Sequence, residues 1–288
     1  MSDESQARSA ADAFGLLADE TRLAIVESLV DRAFDALGDP LSFSDLRRTV
    51  GVEDAGKFNY HLDRLQPQFV EKREDGYVPR FAALEAVGAA RAGTFTELPE
   101  AREAELDTDC PGCGDPLIGV HEGSRVHVHC EDDGWFFQSI VPPRTAAERT
   151  VQEVVNFASR DTQREIEKLV DGVCMICGGP IGIETPVTAP EDDITDAHHV
   201  ATEFDCTHCA YRMQIPIAVA LVRHPAVVAH HYEHGIDIRD DPFFTPEFTS
   251  PEHTTVVSEE PFEAEVEVPI DEDSITLRVD GQLHAEEV

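Results

Sequence analysis

Seven cysteines, at positions 110, 113, 130, 174, 177, 206 and 209, constrain this chain more than any other feature, because three of them open a Cys-x-x-Cys pair. The total is odd, and the N-terminus MSDESQARSAADAF lacks the basic start and apolar core of a secretory signal, so a disulfide framework is disfavoured. Repeated close pairs without such a signal point to metal instead. In Cys174-x2-Cys177-x28-Cys206-x2-Cys209 two knuckles supply four thiolates, enough to close a tetrahedral shell around Zn²⁺. The glycines after Cys177 let the backbone turn toward the ion, and binding would supply folding energy to a loop-rich region. The alternative is a redox disulfide, which needs one pair and no matching second pair.

A looser copy precedes this set. Cys110-Pro-Gly-Cys113-Gly-Asp-Pro-Leu-Ile-Gly matches Cys174-Met-Ile-Cys177-Gly-Gly-Pro-Ile-Gly, but Cys110 and Cys113 meet only Cys130, and the position three residues later is Asp133. A fourth ligand could come from His127, His129 or Asp133; in the alternative the alternation Val126-His-Val-His only places an imidazole on a solvent face and the ribbon has decayed. One zinc site is therefore expected and a second is left open. Residues 109–239 read as a tandem zinc-ribbon-like region with an intervening helix at 146–170 and strand-like segments at 135–141 and 211–222. Residues 240–288 read as an acidic β tail ending in a hairpin built from Phe262-Glu-Ala-Glu-Val-Glu-Val and Ile275-Thr-Leu-Arg-Val. His224, His230, His231 and His234 crowd one segment, where a helix could bring 230 and 234, or 231 and 234, onto one face. A metal site there is the lesser reading, because proline and glycine bracket the segment.

The N-terminal part follows a different pattern. Phe14, Leu17, Leu23, Val26 and Leu29 recur near helical spacing, with Asp19 placed to cap the second of two helices. A turn at Gly38-Asp-Pro-Leu leads to a short helix capped by Ser44, carrying Leu46 and Val50 and ended by Gly51. Asp54 opens a further helix whose inward face is Phe58, Leu62 and Leu65, and Pro67 stops it. Residues 69–73 and 77–80, joined through Gly76, form a hairpin, and 82–92 form an alanine-rich helix. The fold class expected is thus α+β and multi-domain. A winged helix-turn-helix at 8–92, with helix 54–66 in the major groove, is followed by a linker at 93–108 and the β-rich zinc region.

On that helix the outward residues Lys57, Asn59, Tyr60, His61 and Arg64 are candidate DNA contacts. Asn59 and Arg64 suit base edges, and Lys57 and Tyr60 suit phosphate. Arg47 and Arg48 on the preceding helix and Lys72, Arg73 and Arg80 on the wing could clamp the flanking backbone. The alternative is a solvated polar face, or a winged helix that contacts protein.

The phrases Phe14-Gly-Leu-Leu-Ala-Asp-Glu-Thr-Arg-Leu-Ala-Ile, Leu41-Ser-Phe-Ser-Asp-Leu-Arg, Lys57-Phe-Asn-Tyr-His-Leu-Asp-Arg-Leu and Gly76-Tyr resemble the arsenical-resistance-repressor-like winged helix family, above all its haloarchaeal members. The resemblance covers the first hundred residues and implies a homodimeric transcriptional regulator that reads a near-palindromic site in double-stranded DNA. The cysteine pair that metal-sensing members carry on the recognition helix is missing. Residues 108–235 resemble, less closely, the tandem zinc-ribbon tails of archaeal regulators.

Charge bears on the partner. With 58 acidic against 22 basic residues the formal net charge is -36, a balance that resembles the proteomes of salt-loving archaea. It implies a halophilic, salt-filled cytoplasm, where such charge keeps a protein dispersed. The basic side chains of residues 47–80 locally offset the acidic ones, and in concentrated salt groove fit and base contacts outweigh counterion release. No stretch approaches the roughly 18 apolar residues of a membrane span. No Gly-rich phosphate loop, nucleophile elbow or HExxH helix appears, and His121-Glu122 does not fit the zinc deaminase arrangement, so no enzyme is expected. The rival class is a zinc-ribbon module that docks on a protein of the transcription machinery without reading DNA.

Overall fold

The computed structural model describes residues 9–35, 39–66, 68–187 and 200–288. Residue 8, where the first domain was expected to start, Gly38 of the expected turn and the helix stop at Pro67 lie outside the described residues. The chain divides into two compact units, Met1–Glu97 and Leu98–Val288, and is mixed α and β with several antiparallel sheets.

In the first unit α1 (Ala10–Leu17) starts with a capping box in which the Ser9 hydroxyl accepts the Asp12 N–H at 3.1 Å and the Asp12 carboxylate turns back to the Ser9 N–H. Helix α2 (Glu20–Asp35) buries Ile25, Val26, Leu29 and Val30 along one stripe, and Asp19 accepts the Arg22 N–H at 3.0 Å in its first turn. Helix α3 (Phe43–Val50) is capped by Ser42, not by Ser44: the Ser42 hydroxyl accepts the Asp45 N–H at 3.2 Å. The cap thus falls two residues before Ser44, because the extended backbone at Ser42 brings its hydroxyl to the third N–H of the helix; Phe43, the first helical residue, packs its ring edge-on against Phe58 with centroids 5.2 Å apart. Gly51 then takes the left-handed conformation at φ 77° and returns its N–H to the Arg47 and Arg48 carbonyls.

Helix α4 (Ala55–Leu65), capped by Asp54, buries Phe58, His61, Leu62 and Leu65 against α2 and α3. Strands β1 (Val70–Arg73) and β2 (Gly76–Pro79) pair in the expected hairpin. Leu41 joins it through an isolated bridge, exchanging N–H···O bonds with Tyr77 at 2.9 and 3.0 Å. That approach requires glycine at 76, where a Cβ would stand 2.3 Å from the Leu41 carbonyl oxygen. Helix α5 (Phe81–Arg91) closes the unit with Ala83 and Val87 inward.

The second unit is built around one long helix. Strands β3 (Arg102–Asp109), β4 (Pro116–Glu122), β5 (Arg125–Cys130) and β6 (Gly134–Ile140) form a sheet in sequence order. A short helix α6 (Pro143–Ala147) leads to α7 (Val151–Val170), whose start is fixed by a Thr150/Glu153 capping box. Val151, Val154, Val155 and Ala158 of α7 share a core with Leu117, Val126 and Val128 of the sheet. Helix and sheet approach so closely that a Cβ at Gly119 would lie 2.9 Å from Val151. Strands β7 (Ile181–Val187), β8 (Ala201–Cys206) and β9 (Arg212–Pro216) form a second sheet, followed by α8 (Ile217–Ala220) and α9 (Pro225–Glu233). The last sheet comprises β10 (Thr254–Glu259), β11 (Phe262–Ile270), β12 (Asp273–Asp280) and β13 (Ala285–Glu287).

Four expectations change here. The stretch 93–108 is no mere linker, because residues from Arg102 on pair as β3 with β4, and Arg102 donates to the Ala146 and Arg149 carbonyls. The helix expected at 146–170 begins at Val151, where the capping box sets its first turn. The strand-like run at 211–222 is a strand only to Pro216; the apolar residues after it form α8, buried on all sides. Residues 240–288 are no appended tail. Phe262, Ala264, Val266 and Val268 alternate inward and pair across to Leu277 and Val279, sharing one core with α7, while Glu263, Glu265 and Glu267 take the outer face.

Helix α7 also carries an ionisable group under strain. Burial, then the neighbouring Asp161, pushes the Glu165 carboxyl up to about 7, against a smaller opposing pull from Lys168. A folded-state value above the ordinary carboxylate range means that the folded state holds the proton more tightly, so the cost of the charge is complete above about pH 7 and disappears below the unfolded value. At 1.36 kcal/mol per pH unit, discounted because the side chain is only half-buried, this amounts to about 1–2 kcal/mol. Glu165→Gln should therefore raise the unfolding free energy from denaturant titration by that order at pH 8 and by clearly less at pH 5.5. Equal gains at both pH values would reject the assignment.

Candidate metal centres and candidate nucleic-acid interface

Three knuckles of the second unit share one backbone design. The first cysteine donates its N–H to the carbonyl five residues on, at 2.7 Å for Cys110 to Asp115 and 2.8 Å for Cys174 to Gly179 and for Cys206 to Tyr211. Its own carbonyl accepts the N–H four residues on, from Gly114, Gly178 and Ala210 respectively. That fourth residue is left-handed in each, with φ 84°, 68° and 57°. A fourth knuckle closes the β5–β6 turn, where Cys130 pairs in register with Gly134, also left-handed at φ 82°. Asp133 occupies in it the place that the second cysteine holds in the other three.

Cys174, Cys177, Cys206 and Cys209 converge so that their Sγ atoms all lie within 4.8 Å of one another, and Cys110, Cys113, Cys130 and Asp133 converge in the same way. Each cluster can hold a metal ion. In the first-named cluster Cys174 to Cys209 and Cys177 to Cys206 are both 3.6 Å apart. A disulfide would need about 2.05 Å, whereas the edge of a tetrahedron with metal–sulfur bonds of about 2.3 Å is about 3.8 Å. The spacing fits a four-thiolate ion site and not an oxidised pair.

Charge leads to the same conclusion. Burial raises the Cys174 thiol, but the N–H groups of Cys177 and Ile176 and the adjacent thiols outweigh it and bring it down to about 7. The Tyr211 N–H lowers Cys209, yet burial and the three other sulfurs outweigh that and push it up to about 12. The Cys174 thiolate forms readily while Cys177 and Cys209 resist further negative charge, a balance that a bound cation would offset.

In every knuckle the first position is buried and the second exposed. This explains why a carboxylate can stand at 133: the position is solvated, so its charge costs little. The Cys110 thiol donates to Asp133 Oδ2 at 3.0 Å, and this bond, ahead of the one from Cys113, holds the carboxyl below its ordinary value. Of the three candidates for fourth ligand, the structure brings Asp133 to the sulfurs. His127 and His129 point to the other face of β5, where their rings lie 4.5 and 6.0 Å from that of Trp135. Burial, followed by His129, lowers the His127 imidazole.

In the first unit Lys57, Asn59, Tyr60 and Arg64 are exposed on α4 and Lys72, Arg73 and Arg80 on the hairpin and its exit, as expected. His61 is not part of that face. It is buried at 7% exposure because it shares the inward stripe with Phe58 and Leu62, and its Nδ1 stands 3.4 Å from Asp19 Oδ1, just before α2. Arg47 is likewise engaged inside the fold, donating to the Val52 and Glu53 carbonyls at 3.1 and 2.6 Å and thereby fixing the turn between α3 and α4.

The exposed groups have local partners. Arg48 pairs with Asp45 at 2.9 Å and Arg73 with Glu71 at 3.0 Å, both in solvent. Arg64 donates to the Tyr60 hydroxyl at 3.1 Å, and its guanidinium lies 5.7 Å from the centroid of that ring. The Asn59 amide donates to Asp63 Oδ2 at 2.6 Å. Sequence reading missed Asp63; its spacing of four from Asn59 on a helix was the available signal.

Among the described residues no helix is long and apolar enough to cross a membrane. No curated protein and no solved structure matches the chain. Residues 10–90 match a domain of unknown function, DUF7347, and residues 107–285 match another, DUF7351. Since the second match takes in both cysteine clusters, the connecting helix and the terminal sheet, and more than half of the chain, this protein belongs to the DUF7351 family.

Proposed function

We propose that this protein is a DNA-binding transcriptional regulator whose first unit is a winged helix-turn-helix and whose second unit is a zinc-ribbon-like module held by structural zinc. The observation that carries the reading is the exposed face of α4: Lys57, Asn59, Tyr60 and Arg64 project from a helix packed at its back on α2 and α3, with Lys72 and Arg73 exposed on the β1–β2 hairpin of the same unit. Zinc is the ion that best suits both clusters, since closed tetrahedral shells dominated by thiolates are its habitual structural sites and a carboxylate oxygen is also among its ligands. A homodimer, as the resemblance to arsenical-resistance repressors implies, is supported by the exposed rings Phe14, Phe34 and Phe81 on α1, α2 and α5.

One specific observation favours the rival reading, a protein-docking winged helix. Asp45, Asp63 and Glu71 engage three of the side chains that would meet DNA. The test is binding of the full chain, in concentrated KCl, to fragments from its own promoter region. Specific binding supports the regulator; no binding by folded, metal-loaded protein gives the docking reading precedence.

Under the regulator reading Asp63 is a brake. Asp63→Asn removes a negative charge from the face that meets phosphates and should tighten DNA binding about two- to fivefold, the scale of an exposed charge pair. Titration by fluorescence anisotropy checks this, and weaker binding by the variant would contradict it.

A further inference from the structure

The histidine-rich segment forms α9, and two of its imidazoles, the buried His230 and the more exposed His234, meet a carboxylate from a distant part of the chain. We propose that His230, His234 and Asp273 form a third metal site, separate from both cysteine clusters, for an exchangeable divalent transition-metal ion.

The three ligand atoms lie within 4.8 Å of one another, and His234 Nε2 is 3.5 Å from Asp273 Oδ2. His234 Nδ1 stands 2.9 Å from the His230 carbonyl oxygen, which can only accept, so this nitrogen carries the hydrogen. Nε2 is then the ring nitrogen that faces the carboxylate oxygen, and this pair needs a cation, either a second proton or a metal ion, to bring its two acceptors together. A cation there satisfies both, and the carbonyl contact is the outer-shell bond that orients metal-bound histidines. His230 supplies an independent observation. It is 5% exposed, and its Nε2 is buried without any hydrogen-bond partner, a cost that a metal would relieve.

The neighbouring His231 has a different role: its Nδ1 lies 2.8 Å from the Val227 carbonyl oxygen and its ring packs near Phe248. Two imidazoles and one carboxylate suit Zn²⁺, Ni²⁺, Co²⁺ or Fe²⁺ and leave coordination positions open, so the ion exchanges where thiolate-held zinc does not. Because Asp273 opens β12 and the histidines end α9, occupancy cross-links that helix to the terminal sheet.

The test uses the full chain in concentrated KCl. Protein saturated with Zn²⁺ is treated with a mild chelator, which strips loosely held metal and leaves the thiolate-bound ions, and is then titrated with Co²⁺. Wild type should take up one further equivalent, with weak d–d absorption and no thiolate-to-metal charge-transfer band. His234→Ala and Asp273→Ala should lose it, or weaken it beyond the roughly 10–100-fold that loss of an outer-shell partner costs. Asp273 is 67% exposed at its side chain, so Asp273→Ala decides the matter even where a histidine variant fails to fold. Equal uptake by wild type and Asp273→Ala overturns the proposal, as does no uptake by wild type. The result is a difference between two chains and depends neither on the number of ions in the cysteine clusters nor on DNA binding.

Discussion

Cys206→Ser is expected to release one equivalent of metal and to destabilise the second unit by about 5 kcal/mol or more. Structural zinc contributes roughly 10–16 kcal/mol of apparent binding free energy in small domains, comparable to the roughly 5–15 kcal/mol that holds a whole domain together. Here part of the load falls on the hydrophobic core around α7, so a smaller but still dominant share is expected. Cys206 ends β8 and pairs with Ile181 at the start of β7, which follows the Cys174 knuckle, so an open cluster frees the end of the sheet that both knuckles close. Scanning calorimetry in concentrated KCl, with metal analysis of the same samples, provides the readout: the transition of residues 98–288 falls while that of residues 1–97, which has its own core, stays. Retention of metal with an unchanged transition would show that the cluster is not a structural centre. At the other cluster Asp133→Cys should keep its ion and bind it more tightly, since the knuckle geometry there already suits a second thiolate.

The second large effect concerns DNA. Arg64→Ala and Asn59→Ala should each cost about 1–3 kcal/mol of specific binding, the value of one bidentate base contact, or roughly 5- to 150-fold in Kd. Each loss should be confined to one base pair of the site. Lys72→Ala, on the wing, should instead weaken all sequences alike and reduce the salt slope by about 0.9. Arg47→Ala is a useful contrast: its guanidinium holds the Val52 and Glu53 carbonyls, so it should lower thermal stability and affinity together. Unchanged binding in both Arg64→Ala and Asn59→Ala would remove base reading by α4 and leave the protein-docking alternative.

The local rules of the chain carried most of this fold. Helical periodicity, Asp54 and Gly51 as caps and Gly76 between two β-prone runs specify α3, α4 and the hairpin, because each depends on neighbours within a few residues. The spacing of Cys174, Cys177, Cys206 and Cys209 likewise announced a four-thiolate cluster, since a knuckle is a local turn that any two-residue gap between cysteines can make. Where reading along the chain fell short, a partner distant in sequence decided the outcome. His61 and Arg47 are polar residues on helices that also have a solvent face, and only the packing against α2 and the inter-helix turn takes them inward.

Asp133 rather than His127 or His129 completes the smaller cluster because a β-strand sends alternate side chains to opposite faces, and the pairing of β5 with β6 settles which face the sulfurs share. The acidic run from 240 looked like a tail because its charge dominates its composition. Pairing β11 with β12 sorts that charge onto one face and delivers the valines between to the core. The chain's own order thus determined turns, caps, helix faces and the cysteine knuckles, all short-range features. Tertiary structure alone decided which polar groups are buried, which face of each strand meets the cysteine clusters, and that Asp273 stands beside His234, because each of these depends on contacts between segments that sequence distance does not relate.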